Sequence, residues 1–206
     1  MKITSAVFDV SAPDFASCPQ ETFPEFALIG RSNVGKSTLL NRLAEKRDLA
    51  RVSATPGFTK MLNFYTINRR WRLVDLPGYG FAKTSQQERA RYTRLIEDYL
   101  LKRSNLACVL VLVDSSIPPQ AADLDFVQWI GRADRPFALV FTKEDKAKGN
   151  KAMEHIEQFM GAVNEWFEEP PLMFVTSAKN QIGVRELQHT IAQAASGDPD
   201  SDQDER

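Results

Sequence analysis

The chain has 206 residues, 43% of them hydrophobic and 26% charged, enough for one well-cored α/β domain and short for two. No apolar run approaches a membrane span, the first residues lack the apolar stretch of a secretory signal, and Cys18 and Cys108 lie far apart, outside any metal-ligand spacing. A soluble, cytoplasmic protein is expected, and its net charge of −1 hides an asymmetry: from Asp198 onward five acidic residues face only Arg206, a balance of −4 that leaves the body at +3.

Residues 1–23 read as a leader packed on the domain edge. They hold a strand-like piece, Ala6-Val7-Phe8-Asp9-Val10, and a loop that runs through Pro13 and Pro19 to Pro24. Residues 26–29 read as a short buried strand, and Leu39, Leu40 and Leu43 fall at helical spacing. Between them lies Gly30-Arg31-Ser32-Asn33-Val34-Gly35-Lys36-Ser37, a complete G-x-x-x-x-G-K-[ST] loop. A strand, a glycine-bearing loop and a helix N-terminus aim backbone N–H groups and the positive end of a helix dipole at one point, where a phosphate chain fits. Gly35 permits close approach, Lys36 can reach the β- and γ-phosphates, and the Ser37 hydroxyl can ligate Mg²⁺. The loop implies a nucleoside triphosphate without selecting its base.

Residues 50–60 carry turn residues and little periodicity, a loop of a length usually reserved for function or disorder. Residues 61–67 alternate as a strand, Asn68-Arg69 is a hairpin turn, and residues 71–75 return antiparallel. A polar helix over about 85–103 turns Tyr92, Leu95, Ile96, Tyr99 and Leu100 inward. Residues 106–113 are apolar throughout, as in a central parallel strand covered on both faces. A helix near 120–132, a strand at 137–141, a helix near 148–167, a strand at 172–175 and a helix at 184–195 complete a domain spanning 24–195. Residues 196–206 have no apolar side chain to bury and read as a disordered acidic tail. This order predicts an α/β fold: a six-stranded, mostly parallel sheet with one antiparallel edge strand and helices on both faces. Ligands bind outside the carboxyl ends of such strands.

The remaining motifs fall at those ends. Asp75-Leu76-Pro77-Gly78 places a carboxylate toward the Mg²⁺ held by Ser37, through a water because Mg²⁺ keeps much of its hydration shell. The Gly78 N–H can then sense a γ-phosphate. In the long loop Thr59 is the preferred second Mg²⁺ ligand, with Thr55 the competitor; Thr59 lies nearer the strand, and Gly57 lets the backbone turn. Phe58, Lys60 and Met61 flank it. In Thr142-Lys143-Glu144-Asp145, Asp145 can accept from the ring N–H and the exocyclic amine of guanine, a donor pair that adenine does not offer. The Lys143 stem can lie across the base. Thr176-Ser177-Ala178 supplies the Ala178 N–H toward guanine O6. Together these describe a guanine-nucleotide site.

The set G-R-S-N-V-G-K-S, T-P-G-F-T, D-L-P-G-Y-G, T-K-E-D and S-A-K resembles the EngB family of bacterial GTPases, in the Era-like branch, over about residues 5–195. Leu62-Asn63-Phe64-Tyr65 followed by D-L-P-G-Y-G carries the resemblance most specifically. It implies a Ras-like P-loop GTPase fold, Mg²⁺-dependent binding and hydrolysis of GTP, and a role in large ribosomal subunit assembly linked to septation and cell division. Thr142 stands where GTPases usually carry Asn, as in this family, so a side-chain bridge to the P-loop is rebuilt through a hydroxyl or lost. Phe58 stands where the family often has Lys.

Tyr79 occupies the position at which Ras-type enzymes carry a water-positioning glutamine, so slow intrinsic turnover is expected, with the missing element supplied by a partner or an ion. In related GTPases an asparagine at the position of Asn33 helps hold K⁺; the alternative is that Asn33 only caps the loop. Lys36, Thr59, Gly78 and Asn33 are thus the candidate catalytic residues. Arg47, Arg51, Lys60, Lys83, Arg89, Arg91 and Arg94 are candidates for rRNA contact, diluted by Glu88, Glu97 and Asp98. His155 and His189 read as structural. Two functions remain open: a monomeric assembly factor docking on a large-subunit precursor in its GTP form, or a nucleotide-gated module for a division or membrane-associated partner.

Overall fold

The computed structural model describes residues 2–51, 60–79 and 85–197. The chain runs β1 (Ala6–Ala12), β2 (Glu25–Gly30), α1 (Lys36–Leu43), β3 (Leu62–Ile67), β4 (Trp71–Asp75), α2 (Gln86–Lys102) and β5 (Leu106–Asp114). It continues α3 (Ala121–Arg132), β6 (Phe137–Thr142), α4 (Lys151–Val163), β7 (Met173–Val175) and α5 (Val184–Ser196). The strands form one sheet in the order β1-β3-β4-β2-β5-β6-β7. It has seven strands rather than the expected six, because the leader supplies the outermost one. β1 pairs antiparallel with β3 from Ala6↔Ile67 to Ala12↔Leu62, with a register shift between Phe8 and Val10. β3 also runs antiparallel to β4, while the pairs β2–β4, β2–β5, β5–β6 and β6–β7 are parallel. The antiparallel pairing is therefore confined to one side of the sheet.

Alternation along the central strands divides the interior into two cores. Ala27 and Ile29 of β2, with Val109 and Val111 of β5, face α2, α3 and α4. Phe26 and Leu28, with Leu110 and Leu112, face α1 and α5. A strand buried on both faces has no polar side, which is why residues 106–113 read as one apolar run. Asn68 and Arg69 take positive φ of 50° and 54°, the conformation that tight hairpin turns require. Ser85 caps α2 by accepting from the Glu88 N–H at 3.2 Å. The helix expected to reach residue 167 ends at Val163, and Phe167 folds back over Gly131 and against Phe137, ring centroids 5.7 Å apart.

At the amino ends of the strands, opposite the motif loops, sits a buried charge cluster. Glu25 is fully buried; its Oε2 accepts from the Tyr99 hydroxyl and from Arg103 Nε, each at 2.8 Å. Arg72 lies 3.7 Å from Glu25 Oε1 and also bonds Glu21 and Asp9 of the leader at 3.0 and 3.2 Å. Arg103 donates to the Pro19 carbonyl at 2.8 Å. Burial first, then the Glu25 charge, pushes the Tyr99 hydroxyl far above its usual range, so it stays a donor. The leader is thereby tied to β4 and α2 through two arginines that share one carboxylate of β2. Removing one partner of such a pair strands a buried charge. Glu25→Gln is expected to cost about 3 kcal/mol, measured as a lowered urea midpoint at unchanged m-value.

Candidate functional site

β2 ends at Gly30 and α1 begins at Lys36, so the P-loop is the bend between a strand buried on both faces and a helix N-terminus. Gly35 caps α1 with φ 109°, and a Cβ built there would meet nothing within 4 Å, leaving an open cradle ahead of the helix. Lys36 is only 9% exposed, and its Nζ lies 4.0 Å from Oδ1 of the buried Asp75. The β2–β4 register sets that pairing by placing Leu28 beside Asp75. Ser37 follows on the first turn of α1, half-buried. Lysine and hydroxyl thus come from the helix that follows β2, and the carboxylate from the end of the adjacent β4.

Beyond Asp75 the backbone is pressed onto the P-loop. The Leu76 N–H donates to the Leu28 carbonyl at 3.0 Å, and Tyr79 forms a parallel bridge with Arg31. A Cβ on Gly78 would stand 2.7 Å from the Gly30 oxygen and 3.3 Å from the Ser32 nitrogen. Only glycine fits there. Pro77 lies buried in this run, and Asn33 is exposed with φ 64°, a left-handed conformation that asparagine tolerates.

The loops after β6 and β7 close with the P-loop around a cavity of ≈ 160 Å³, lined by Val34, Gly35, Thr142, Asp145, Thr176 and Ala178 among others. Thr142 Oγ1 donates to the Val34 carbonyl at 2.7 Å, so the bridge to the P-loop is rebuilt through the hydroxyl. Asp145 Oδ1 accepts from Ser177 Oγ at 2.6 Å, and Ser177 Oγ accepts in turn from the Asn180 N–H at 3.1 Å. The Glu144 N–H meets the Thr176 carbonyl at 3.4 Å. Lys143, at φ 62°, pairs its ammonium with Asp114, whose other oxygen accepts from the Ser116 N–H and hydroxyl at 3.0 and 2.6 Å. The head of Lys143 is held at the end of β5, which leaves its stem to flank the cavity. A carboxylate aimed by a serine, beside an aliphatic stem and apolar P-loop atoms, can receive a flat base carrying two adjacent donors.

Gly57, Phe58 and Thr59, with Thr55 and Lys83, lie outside the described residues. Lys60 is exposed, with its ammonium 4.0 Å from Glu88, and it joins Arg51, Met61, Tyr65 and Asp75 around a separate cavity of ≈ 400 Å³. Arg94 meets Asp98 at 3.9 Å on the exposed face of α2. Two acids escaped the sequence reading. Asp114 ends an apolar strand, a position that flags it; Asp123 sits in the first turn of α3, where an acid normally faces solvent, yet it is 1% exposed.

A family model described as "50S ribosome-binding GTPase" matches residues 25–143. The chain is 44% identical over 191 residues to the "Probable GTP-binding protein EngB" of Bacteroides fragilis, covering 93% of this chain and 95% of that protein. The chain belongs to the EngB family of GTP-binding proteins. A crystal structure of a probable GTP-binding protein EngB superposes with TM-score 0.65 at 24% identity, over 84% of this chain and 99% of that one. Era, solved with MgGDPNP and nucleotides 1506–1542 of 16S ribosomal RNA, gives TM-score 0.66 at 23% identity, over 85% of this chain and 57% of Era. These likenesses establish the Ras-like P-loop GTPase fold. As an EngB protein the chain binds guanine nucleotide and hydrolyses GTP.

The Thr142 bridge gives a direct test within this EngB site. Thr142→Val keeps the shape and leaves the buried Val34 carbonyl without its donor, which should weaken guanine-nucleotide affinity about tenfold. Thr142→Ser should stay within about twofold, because the hydroxyl is retained. Titration calorimetry reads both.

Proposed function

We propose that this EngB protein is a Mg²⁺-dependent GTP switch acting in the cytoplasm as a monomer, in large ribosomal subunit assembly, with a linked requirement in septation and cell division. The observation that carries the reading is the convergence of the P-loop, the end of β4 and the loops after β6 and β7 on one mouth, in a chain matched by a ribosome-binding GTPase model. No described helix is long and apolar enough to cross a membrane.

In this reading the N–H groups of residues 30–37 cradle the phosphates, and Lys36 offsets charge on the β- and γ-phosphates. Ser37 and Asp75 are oxygen donors beside the open Gly35 cradle, a set that suits a hard cation. They and Thr59 would hold Mg²⁺, Asp75 through water, and the ion would neutralise phosphate charge there. Gly78 senses the γ-phosphate, and Thr59, with Gly57, Phe58, Lys60 and Met61, forms the responding loop. Asp145 reads the ring N–H and amine of guanine while Ala178 reads O6. Tyr79 is not a water-positioning side chain in the Ras manner, which supports slow intrinsic turnover completed by the ribosomal partner or by K⁺ near Asn33. Arg47, Arg51, Lys60, Lys83, Arg89, Arg91 and Arg94 are the residues proposed to meet rRNA phosphate.

Two outcomes follow. Asp145→Asn should lose most affinity for guanine nucleotides and gain it for xanthine nucleotides, by about 10²-fold or more in relative preference; ATP binding as tight as GTP in the wild type would refute the base assignment. In sucrose gradients the protein should comigrate with large-subunit precursors in a non-hydrolysable GTP analogue and not in GDP. Comigration with membrane or division complexes instead would favour the nucleotide-gated module.

A further inference from the structure

Asp123 joins the two loops that face the phosphates. Its Oδ2 accepts from Arg31 Nε and its Oδ1 from the Tyr79 hydroxyl, both at 2.9 Å. Burial raises the Asp123 carboxyl, and burial with the neighbouring Asp123 charge pushes the Tyr79 hydroxyl far up, so the tyrosine remains a proton donor. The Tyr79 ring stacks on Phe126 of α3 at 4.6 Å and 14°, and Phe126 leans on Trp129 at 5.5 Å.

Arg31 directly follows Gly30, and Tyr79 directly follows Gly78. These are the two glycines whose backbones touch, and the residues after them share both a β-bridge and one buried carboxylate. A carboxylate this buried, with both oxygens committed, cannot shift without breaking a charge-assisted hydrogen bond. It therefore fixes where the Gly78 N–H lies relative to the P-loop. Neither Arg31 nor Tyr79 is left to reach toward the phosphates with the atoms that Asp123 holds.

We propose that Asp123 is a positioning residue for triphosphate recognition: by tying Arg31 and Tyr79 to α3 it holds the Gly78 N–H in place for the γ-phosphate, and so sets the preference for GTP over GDP. This rests on reading Gly78 as the γ-phosphate donor. The diphosphate reaches the P-loop and the base pocket but not Gly78, so the Tyr79 arm of the tie bears on the triphosphate alone, while the Arg31 arm bears on both nucleotides. The tie is also distinct from fold stabilisation, because loss of stability alone would not change the ratio of two ligand affinities.

The test compares GDP with a non-hydrolysable GTP analogue, using fluorescent nucleotides and Mg²⁺ on the full chain. Tyr79→Phe keeps the stack on Phe126 and deletes only the hydroxyl. It should weaken the analogue about tenfold and leave GDP within about twofold. Asp123→Asn, which can no longer accept from both donors with full charge, should lower the ratio in the same direction. Gly78→Ala, whose methyl would lie 2.7 Å from the Gly30 oxygen, forces residue 78 away from the P-loop and should weaken the analogue more than GDP. An unchanged ratio in Tyr79→Phe and Asp123→Asn, beside a selective loss in Gly78→Ala, overturns the proposal and leaves the Gly78 reading standing. An unchanged ratio in Gly78→Ala overturns both.

Discussion

The structure depends on β2 lying between β4 and β5 with all three strands parallel. That ladder sets Leu28 beside Asp75 and Gly30 beside Leu112, and the next ladders set Asp114 beside Thr142 and Phe141 beside Val175. Gly30, Asp75, Asp114 and Thr142 thus come to one edge of the sheet as a consequence of register. A slip of one residue would exchange the two cores and turn the side chains of Asp75, Asp114 and Thr142 to the opposite face. Register is enforced because each face packs into its own close-fitting core, whose side-chain volumes would not interdigitate if the two sets were exchanged. The chemistry of the site is therefore held by hydrophobic packing some distance below it.

How much of this the sequence displayed follows from the range of each interaction. The P-loop, the uniformly apolar β5 and the inward face of α2 are local patterns, and each is where its periodicity placed it. The leader's edge strand was visible as an apolar piece, but its partner was not. Pairing Ala6–Ala12 with β3 spans fifty residues or more and accommodates a bulge, and no local signal selects it. The early end of α4 depends on Phe167 finding Gly131 and Phe137, which are remote in sequence. Asp123 is the sharpest case. An acid in the first turn of a helix is favourable against the helix dipole whether or not anything covers it; only the fold brings Arg31 and Tyr79 to it.

Thr142 shows a subtler limit. From the sequence, a threonine in place of the usual asparagine left open whether the link between the base loop and the P-loop survives. A hydroxyl has one donor and a short reach, so it serves only if the partner carbonyl comes close, and Val34 does. The same device recurs around the pocket. Ser177 fixes Asp145, Ser116 fixes Asp114, and Ser115 Oγ donates to the Thr142 carbonyl at 2.7 Å. Short hydroxyl side chains stitch neighbouring loops together with little rotamer entropy to lose, so the pocket is largely arranged before a base enters.

The cluster around Glu25 has a mechanical consequence. Tyr99 and Arg103 anchor the carboxyl end of α2 to the base of the sheet, while its amino end, capped by Ser85, comes six residues after Tyr79 in the sequence. A 17-residue helix is about 25 Å long, so with one end clamped it behaves as a lever arm. A tilt of about 5° about that fulcrum sweeps the other end through about 2 Å, carrying exposed Arg89 and Arg91 with it. A displacement applied at the amino end is therefore carried to the arginine-bearing surface in proportion to its distance from the clamp, and the pivot is set by a glutamate at the far end of the sheet.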